Sequence, residues 1–166
     1  MVRVKLDAID LRILCDLQED GRITNVDLAK RAGISPPPCL RRVRALEETG
    51  CIRGYHADLD PETLGYGVRV FANVGLHSQA ENDLLAFERL VASWPEVREC
   101  HMLAGETDFL LRIVATNWDA YQRFLTTRLT AAPNVSVVKS ALAIRSSKNF
   151  PGVPIEAEDH RETAAG

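Results

Sequence analysis

Residues 24–50 read TNVDLAKRAGISPPPCLRRVRALEETG, a helix, a glycine turn and a second helix in that order. Thr24 is placed to cap a short helix from Asn25 to Ala32 that buries Val26, Leu28 and Ala29, and Gly33 stands where a left-handed helix stop belongs. After the turn Gly33-Ile34-Ser35, Ser35 is expected to cap a further helix whose first turn is Pro36-Pro37-Pro38. Prolines are tolerated there because first-turn N–H groups have no partner inside the helix. This helix should run to about Thr49, with Gly50 ending it. On its wheel Leu40, Val43 and Leu46 gather on one side, and Arg41, Arg42 and Arg44 spread over the opposite arc. Upstream, Leu6, Ile9, Ile13 and Leu17 recur at helical spacing around Asp7, a ready N-cap, so residues 7–19 should form the first helix. That arrangement lays a recognition helix in the major groove of double-stranded DNA. The plainer reading of the arginines is a solvated face on a core helix.

Charge distribution favours DNA. The whole chain carries 20 Lys and Arg against 23 Asp and Glu, a net charge of −3, which by itself argues against a polyanion partner. From Arg22 to Tyr55, however, seven basic residues face three acidic ones, whereas from Pro61 onward ten basic residues face thirteen acidic ones. Two halves with different partners follow. A length of 166 residues accommodates two small domains, and 46% hydrophobic with 26% charged residues excludes wholesale disorder, collagen and a coiled-coil rod. No apolar run is long enough for a membrane span and no signal segment stands at the start, so a cytoplasmic location is expected. Cys15, Cys39, Cys51 and Cys100 form no CxxC pair and no compact Cys/His spacing, so reduced thiols are expected, with no metal and no cofactor.

After Gly50, CIRGYHADL reads as an extended segment, and residues 56–67 as the linker. The rhythm then changes to strand 68–76, helix 81–93, strand 97–104, strand 109–116, helix 118–130 and strand 135–144. In βαββαβ order, right-handed crossovers give a four-stranded antiparallel sheet with both helices on one face, the ferredoxin-like arrangement. The fold class is therefore α+β: a helix-turn-helix domain over 1–55, a ferredoxin-like domain over 68–145, and an extension over 146–166 whose end should be mobile. Within it FLLRIVA, residues 109–115, is apolar on both alternating faces apart from Arg112. Such a strand needs a second layer from another subunit. On that dimer face, a charge at Leu111 or Ile113 is expected to cost several kcal/mol, as an unpaired buried charge does.

The segments LDAIDLRILCDLQEDGRITNVDLAKRAGISPPPCLRRVRALEETGCIRGY and GETDFLLR, together with the βαββαβ order, resemble the leucine-responsive and asparagine regulator (Lrp/AsnC) family of prokaryotic transcription factors, over nearly the whole chain to about Ile155. The resemblance implies a winged or linker-extended helix-turn-helix that binds DNA. It also implies a βαββαβ domain that dimerises, assembles into higher even-numbered oligomers and binds small effectors, often amino acids. Carried onto this chain, it makes Ser35 to Arg44 the recognition helix, with Ser35, Pro37, Pro38, Arg41, Arg42 and Arg44 toward DNA. Arg22 and Asn25 lie where the preceding helix meets the DNA backbone. Gly105, Glu106, Thr107 and Asp108 occupy the effector loop, with Val138 and Ser140 on the last strand. Family loops often carry a second acidic residue, and the GETD version leaves the ligand's identity open.

A free amino acid requires an acceptor for its ammonium and donors for its carboxylate, and Asp108, the Thr107 hydroxyl, the Gly105 backbone and Ser140 supply both. The plainer reading is a β-hairpin turn with Asp and Thr serving turn chemistry. The function implied is a non-enzymatic, nucleoid-associated transcriptional regulator tuned by an amino acid, without a membrane partner. Two alternatives remain: an architectural DNA-wrapping protein without effector, and a small ferredoxin-like dimeric enzyme. Against the enzyme stands the lack of a convergent acid, base and nucleophile set in residues 68–144. Cys39 reads as a buried small apolar residue or as a redox switch, Cys100 and His101 point to opposite faces of a strand, and Trp94 and Trp118 are expected in the core.

Overall fold

A computed structural model describes residues 5–155. The expected mobile end, from residue 156 on, lies outside the described residues. The chain divides into two compact units: residues through Asp58 together with those from Lys148, and Leu59–Ser147. The described part of the extension from Lys148 therefore belongs with the first unit. Among the described residues no helix is long and apolar enough to cross a membrane.

The first unit holds α1 (Ala8–Glu19), α2 (Asn25–Arg31) and α3 (Pro36–Glu48). α1 starts in a reciprocal box, Asp7 Oδ1 taking the Asp10 N–H at 2.9 Å and Asp10 Oδ2 the Asp7 N–H at 3.1 Å. Thr24 caps α2 through the Asp27 N–H at 3.1 Å. Ser35 stands at the N-cap of α3 but makes no side-chain cap bond. The cause lies in the sequence: the N2 and N3 positions that would donate to it are Pro37 and Pro38, which have no N–H. Ile13, Leu28, Ala29, Cys39 and Leu46 form the core. Burial pushes the Cys39 thiol up, so it packs as a small apolar residue rather than a reactive thiolate. Val26, expected inside, is 64% exposed, because α2 spans only seven residues and turns Leu28 and Ala29 inward.

The segment from Cys51 to Leu59 pairs with no strand. Instead the Ile52 N–H donates to Leu46 O at 3.0 Å and the Tyr55 hydroxyl to Glu47 Oε1 at 3.0 Å. The extension returns to α1, where the Gln18 amide donates to Val153 O at 2.8 Å and accepts from its N–H at 3.0 Å. Gly152 makes this possible, since its φ is +75° and a Cβ there would run into the Gln18 side chain.

The second unit holds β1 (Val68–Leu76), α4 (Glu81–Ala92), β2 (Val97–Met102), β3 (Phe109–Ala115), α5 (Trp118–Phe124) and β4 (Val135–Leu142). The sheet is antiparallel in the order β2-β3-β1-β4, with β2 and β4 at the edges. Val70, Ala72 and Val74 of β1 and Phe109, Leu111 and Ile113 of β3 form one core with Phe87, Val91, Tyr121 and Phe124 of the helices. Leu111 and Ile113 therefore face the helices, and the outward residues of β3 are Leu110, Arg112 and Val114. A charge at Leu111 or Ile113 would attack this core rather than a subunit contact.

The expected α-helix to residue 130 changes pitch at Leu125–Leu129, which is π-helical, with the Thr130 N–H on Leu125 O at 2.9 Å. Thr126 and Thr127 hydroxyls donate to the carbonyls of Gln122 and Arg123 four residues back, at 2.9 and 2.7 Å, and compete with the regular ladder. Trp94 is in the core, but Trp118 is 50% exposed because it occupies the first turn of α5, resting against the Tyr121 ring at 5.3 Å.

Candidate functional site

On α3 the buried positions are Cys39 and Leu46, which leaves Pro37, Leu40, Arg41 and Arg44 exposed at i, i+3, i+4 and i+7 spacing. These four share one face of the helix, so Leu40, expected on the packing side with Val43 and Leu46, stands with Arg41 and Arg44 instead. Arg42, expected on it, is turned toward α1, where Nη1 lies 2.8 Å from Asp7 Oδ2 and 2.7 Å from Asp10 Oδ1. The Asp10 and Asp7 carboxylates raise the Arg42 pKa, while the Asp10 N–H and then Arg42 hold Asp7 below the usual carboxylate range. Arg42 thus braces α3 against α1, and its charge is neutralised inside the fold. Its partners lie 32 and 35 residues away, beyond any local pattern.

Asn25 also has a local role: its Nδ2 donates to Pro36 O at 2.9 Å, fixing the start of α3 to α2, while its Oδ1 is buried without a hydrogen-bond partner. A similar tie joins α1 to α2, where buried Asp16 meets Arg12 at 3.2 Å and Arg31 at 3.6 Å. Arg22 is exposed at the turn before α2, and the Ser35 side chain makes no cap bond. With three prolines in its first turn, α3 presents no backbone N–H to a phosphate there, unlike most helix N-termini. Polar contact must come from side chains, and Arg41 and Arg44 are the cations on the exposed face.

At the turn before β3, Gly105 and Glu106 are exposed and Thr107 and Asp108 half-buried. Asp108 is tied three ways: its N–H donates to Val74 O at 3.0 Å, its carbonyl accepts from the Leu103 N–H at 2.8 Å, and its Oδ2 accepts from the Leu76 N–H at 2.6 Å. The carboxylate thus helps pin the β2–β3 hairpin to the end of β1. The same Oδ2 lies 4.0 Å from where a Cβ on Gly75 would be, on the sheet face away from the helices. Thr107 Oγ1 is 3.5 Å from Asn73 Oδ1. Ser140 and Val138 lie on the opposite face: Ser140 Oγ meets the Tyr121 hydroxyl at 2.5 Å and Val138 packs against the core. Within one chain Asp108 and Thr107 therefore do not converge with Val138 and Ser140. A cavity of about 350 Å³ lies instead between α4 and β2, lined by Glu88, Val91, Arg98 and Cys100 among others, and no expected site residue lines it. Burial, and then Glu88, push the Cys100 thiol up to about 11.

Residues 6–53 match the winged helix-turn-helix DNA-binding family and residues 69–153 the Lrp/AsnC ligand binding domain family. The chain is 56% identical over 149 residues to a leucine-responsive regulatory protein of Rhizobium meliloti, covering 90% of this chain and 96% of that one. It is 45% identical over 142 residues to the Bkd operon transcriptional regulator of Pseudomonas aeruginosa, covering 86% and 93%. Among solved structures it resembles a transcriptional regulator of Neisseria meningitidis in complex with L-Met, with a TM-score of 0.86 and 38% identity over 90% of this chain and 97% of that one.

Proposed function

Because this chain belongs to the Lrp/AsnC family of transcriptional regulators, we propose that α3 reads double-stranded DNA through Arg41 and Arg44 and that an amino acid bound near Gly105–Asp108 tunes assembly and DNA affinity. The observation that carries this reading is the sorting of the α3 arginines. Arg42 is consumed by Asp7 and Asp10, whereas Arg41 and Arg44 stand exposed together on one helix face. A merely solvated helix has no need for that division. Arg22 and the Ser35 hydroxyl, both exposed, are the flanking phosphate contacts, and Pro37 and Pro38 approach the DNA at the start of α3.

The protein acts in the bacterial cytoplasm on the nucleoid as a homodimer that assembles into higher even-numbered oligomers, without catalytic chemistry. The L-Met bound by the Neisseria regulator supports an amino acid as effector here. Glu106 and the Asp108 charge are offered to its ammonium, and Gly105, where a Cβ would meet nothing within 4 Å, leaves room for it. Since Val138 and Ser140 face the other side of their own sheet, a site that uses all six residues draws them from different subunits. Binding then depends on assembly, and assembly on binding, as linkage requires.

DNA binding is tested by fluorescence anisotropy on random-sequence duplex across a salt series. A steep loss of affinity with salt is expected, with Arg41→Ala weakening binding well beyond Lys30→Ala. Equal losses would show that the DNA face lies elsewhere. A thermal-shift series with L-Met, L-Leu and the other amino acids checks the effector, which should raise the Tm as its concentration grows.

A further inference from the structure

Leu40 stands in the middle of the exposed α3 face, between Pro37 one turn before it and Arg44 one turn after, with Arg41 beside it. It is 40% exposed on a helix whose inward positions already hold Cys39, Val43 and Leu46. The N-terminal half of that face is thus apolar, made by Pro37 and Leu40, and it is flanked by two arginines that a phosphate backbone would engage. Neither Pro37 nor Leu40 can donate or accept a hydrogen bond through its side chain. Of the groups that bases present in the major groove, only one is apolar, the C5-methyl of thymine.

We propose that Leu40, supported by Pro37, forms a methyl-reading patch that selects thymine in the major groove. Arg41 and Arg44 anchor α3 on the DNA while Leu40 sets base preference by burying its side chain against the thymine methyl. The preference is modest, since covering one methyl-sized group is worth about a threefold to fivefold change in affinity. The inference rests on α3 being the DNA-reading helix.

The test uses the full-length protein and a pool of duplexes selected for binding from a random library, re-amplified either with dTTP or with dUTP, which removes every C5-methyl and keeps base pairing. For the wild type, uracil substitution should weaken binding at least threefold. Leu40→Ala should bind the thymine pool more weakly and show no further loss on the uracil pool. Leu40→Met should keep the sensitivity to the methyl. If Leu40→Ala loses the same factor as the wild type on uracil DNA, the methyl is read elsewhere and the proposal falls. It falls too if Leu40→Ala leaves DNA binding untouched but changes the sedimentation coefficient, because Leu40 would then contact another copy of the chain. If selection with the wild type enriches no duplex at all, the DNA-binding reading itself is overturned instead.

Discussion

The Asp108 carboxylate accepts from the Leu76 N–H at 2.6 Å, and in the proposed site it would also meet the ammonium of an amino acid. Replacement separates them. Asp108→Asn keeps an oxygen for the Leu76 N–H but carries no charge, so it should melt near the wild type while losing affinity for the amino acid of the proposed site by roughly 1.5–3 kcal/mol, the worth of a charge-assisted hydrogen bond. Asp108→Ala should lose the affinity and also lower the Tm. Calorimetric titration beside a melting curve checks both, and an Asn variant with full affinity would move the site away from this turn. Arg42 is expected to behave oppositely to its neighbours: Arg42→Ala should lower the Tm of the DNA-binding unit by a few degrees, whereas Arg41→Ala should leave it unchanged. The same brace sets an acid limit. Asp7 is held below its ordinary value of 3.8, so its contribution is complete above that pH and is lost as pH falls through the lowered value. Asp7→Asn should flatten that part of a stability profile recorded below about pH 4. An unchanged profile would show that the brace adds nothing.

Helices and strands were legible where local chemistry repeats at a local period. Asp7, Thr24, Gly33 and Gly50 announce their helix ends, and the short apolar run Phe109–Ala115, broken by Arg112 alone, announces its strand. Illegible were features set by partners distant in sequence. Arg42 looks like any other arginine of LRRVR until α1 packs beside it, and Asp108 like any other turn aspartate until Leu76 lies across from it. The pitch change at Leu125–Leu129 could not be read from hydrophobic spacing, because it arises from threonine hydroxyls competing for carbonyls. Nor could the return of the extension, which joins residues 135 apart through one glutamine amide and one glycine. That contact yields its own expectation. Gly152→Ala puts a Cβ on the Gln18 side chain at a φ that L residues avoid, so the tail should leave α1. Hydrogen exchange at the Val153 amide should accelerate strongly, and retained protection would mean that the tail is held by something other than Gln18.

At the scale of the molecule the unresolved demand is the outer face of the sheet. Along β3 the inner residues Phe109, Leu111, Ile113 and Ala115 are buried, while Leu110, Arg112 and Val114 point outward and are only half-covered. The β1 register puts Phe71 opposite Arg112, Asn73 opposite Leu110 and Arg69 opposite Val114, and places Ala141 of β4 beside Phe71. Arg112 stands among the apolar Phe71, Leu110 and Val114 of this face, and its Nε lies 2.7 Å from Glu99 Oε1 on β2. Burial works against the Glu99 charge, but the Arg112 hydrogen bond and charge outweigh it and hold its pKa below the usual range. A neutralised pair among Phe71, Leu110 and Val114 suits a face that a second sheet covers. The residues that test the proposed dimer are therefore the outward ones. Leu110→Asp or Val114→Asp should leave the subunit folded, with a cooperative melt, while sedimentation shows monomers at micromolar concentration. The cost should reach several kcal/mol where the partner would bury the unpaired charge. Leu111→Asp should instead unfold the second unit at any concentration, because Leu111 is fully buried against the helices of its own chain. If both outward variants sediment as the wild type does, the outer face of this sheet carries no dimer contact.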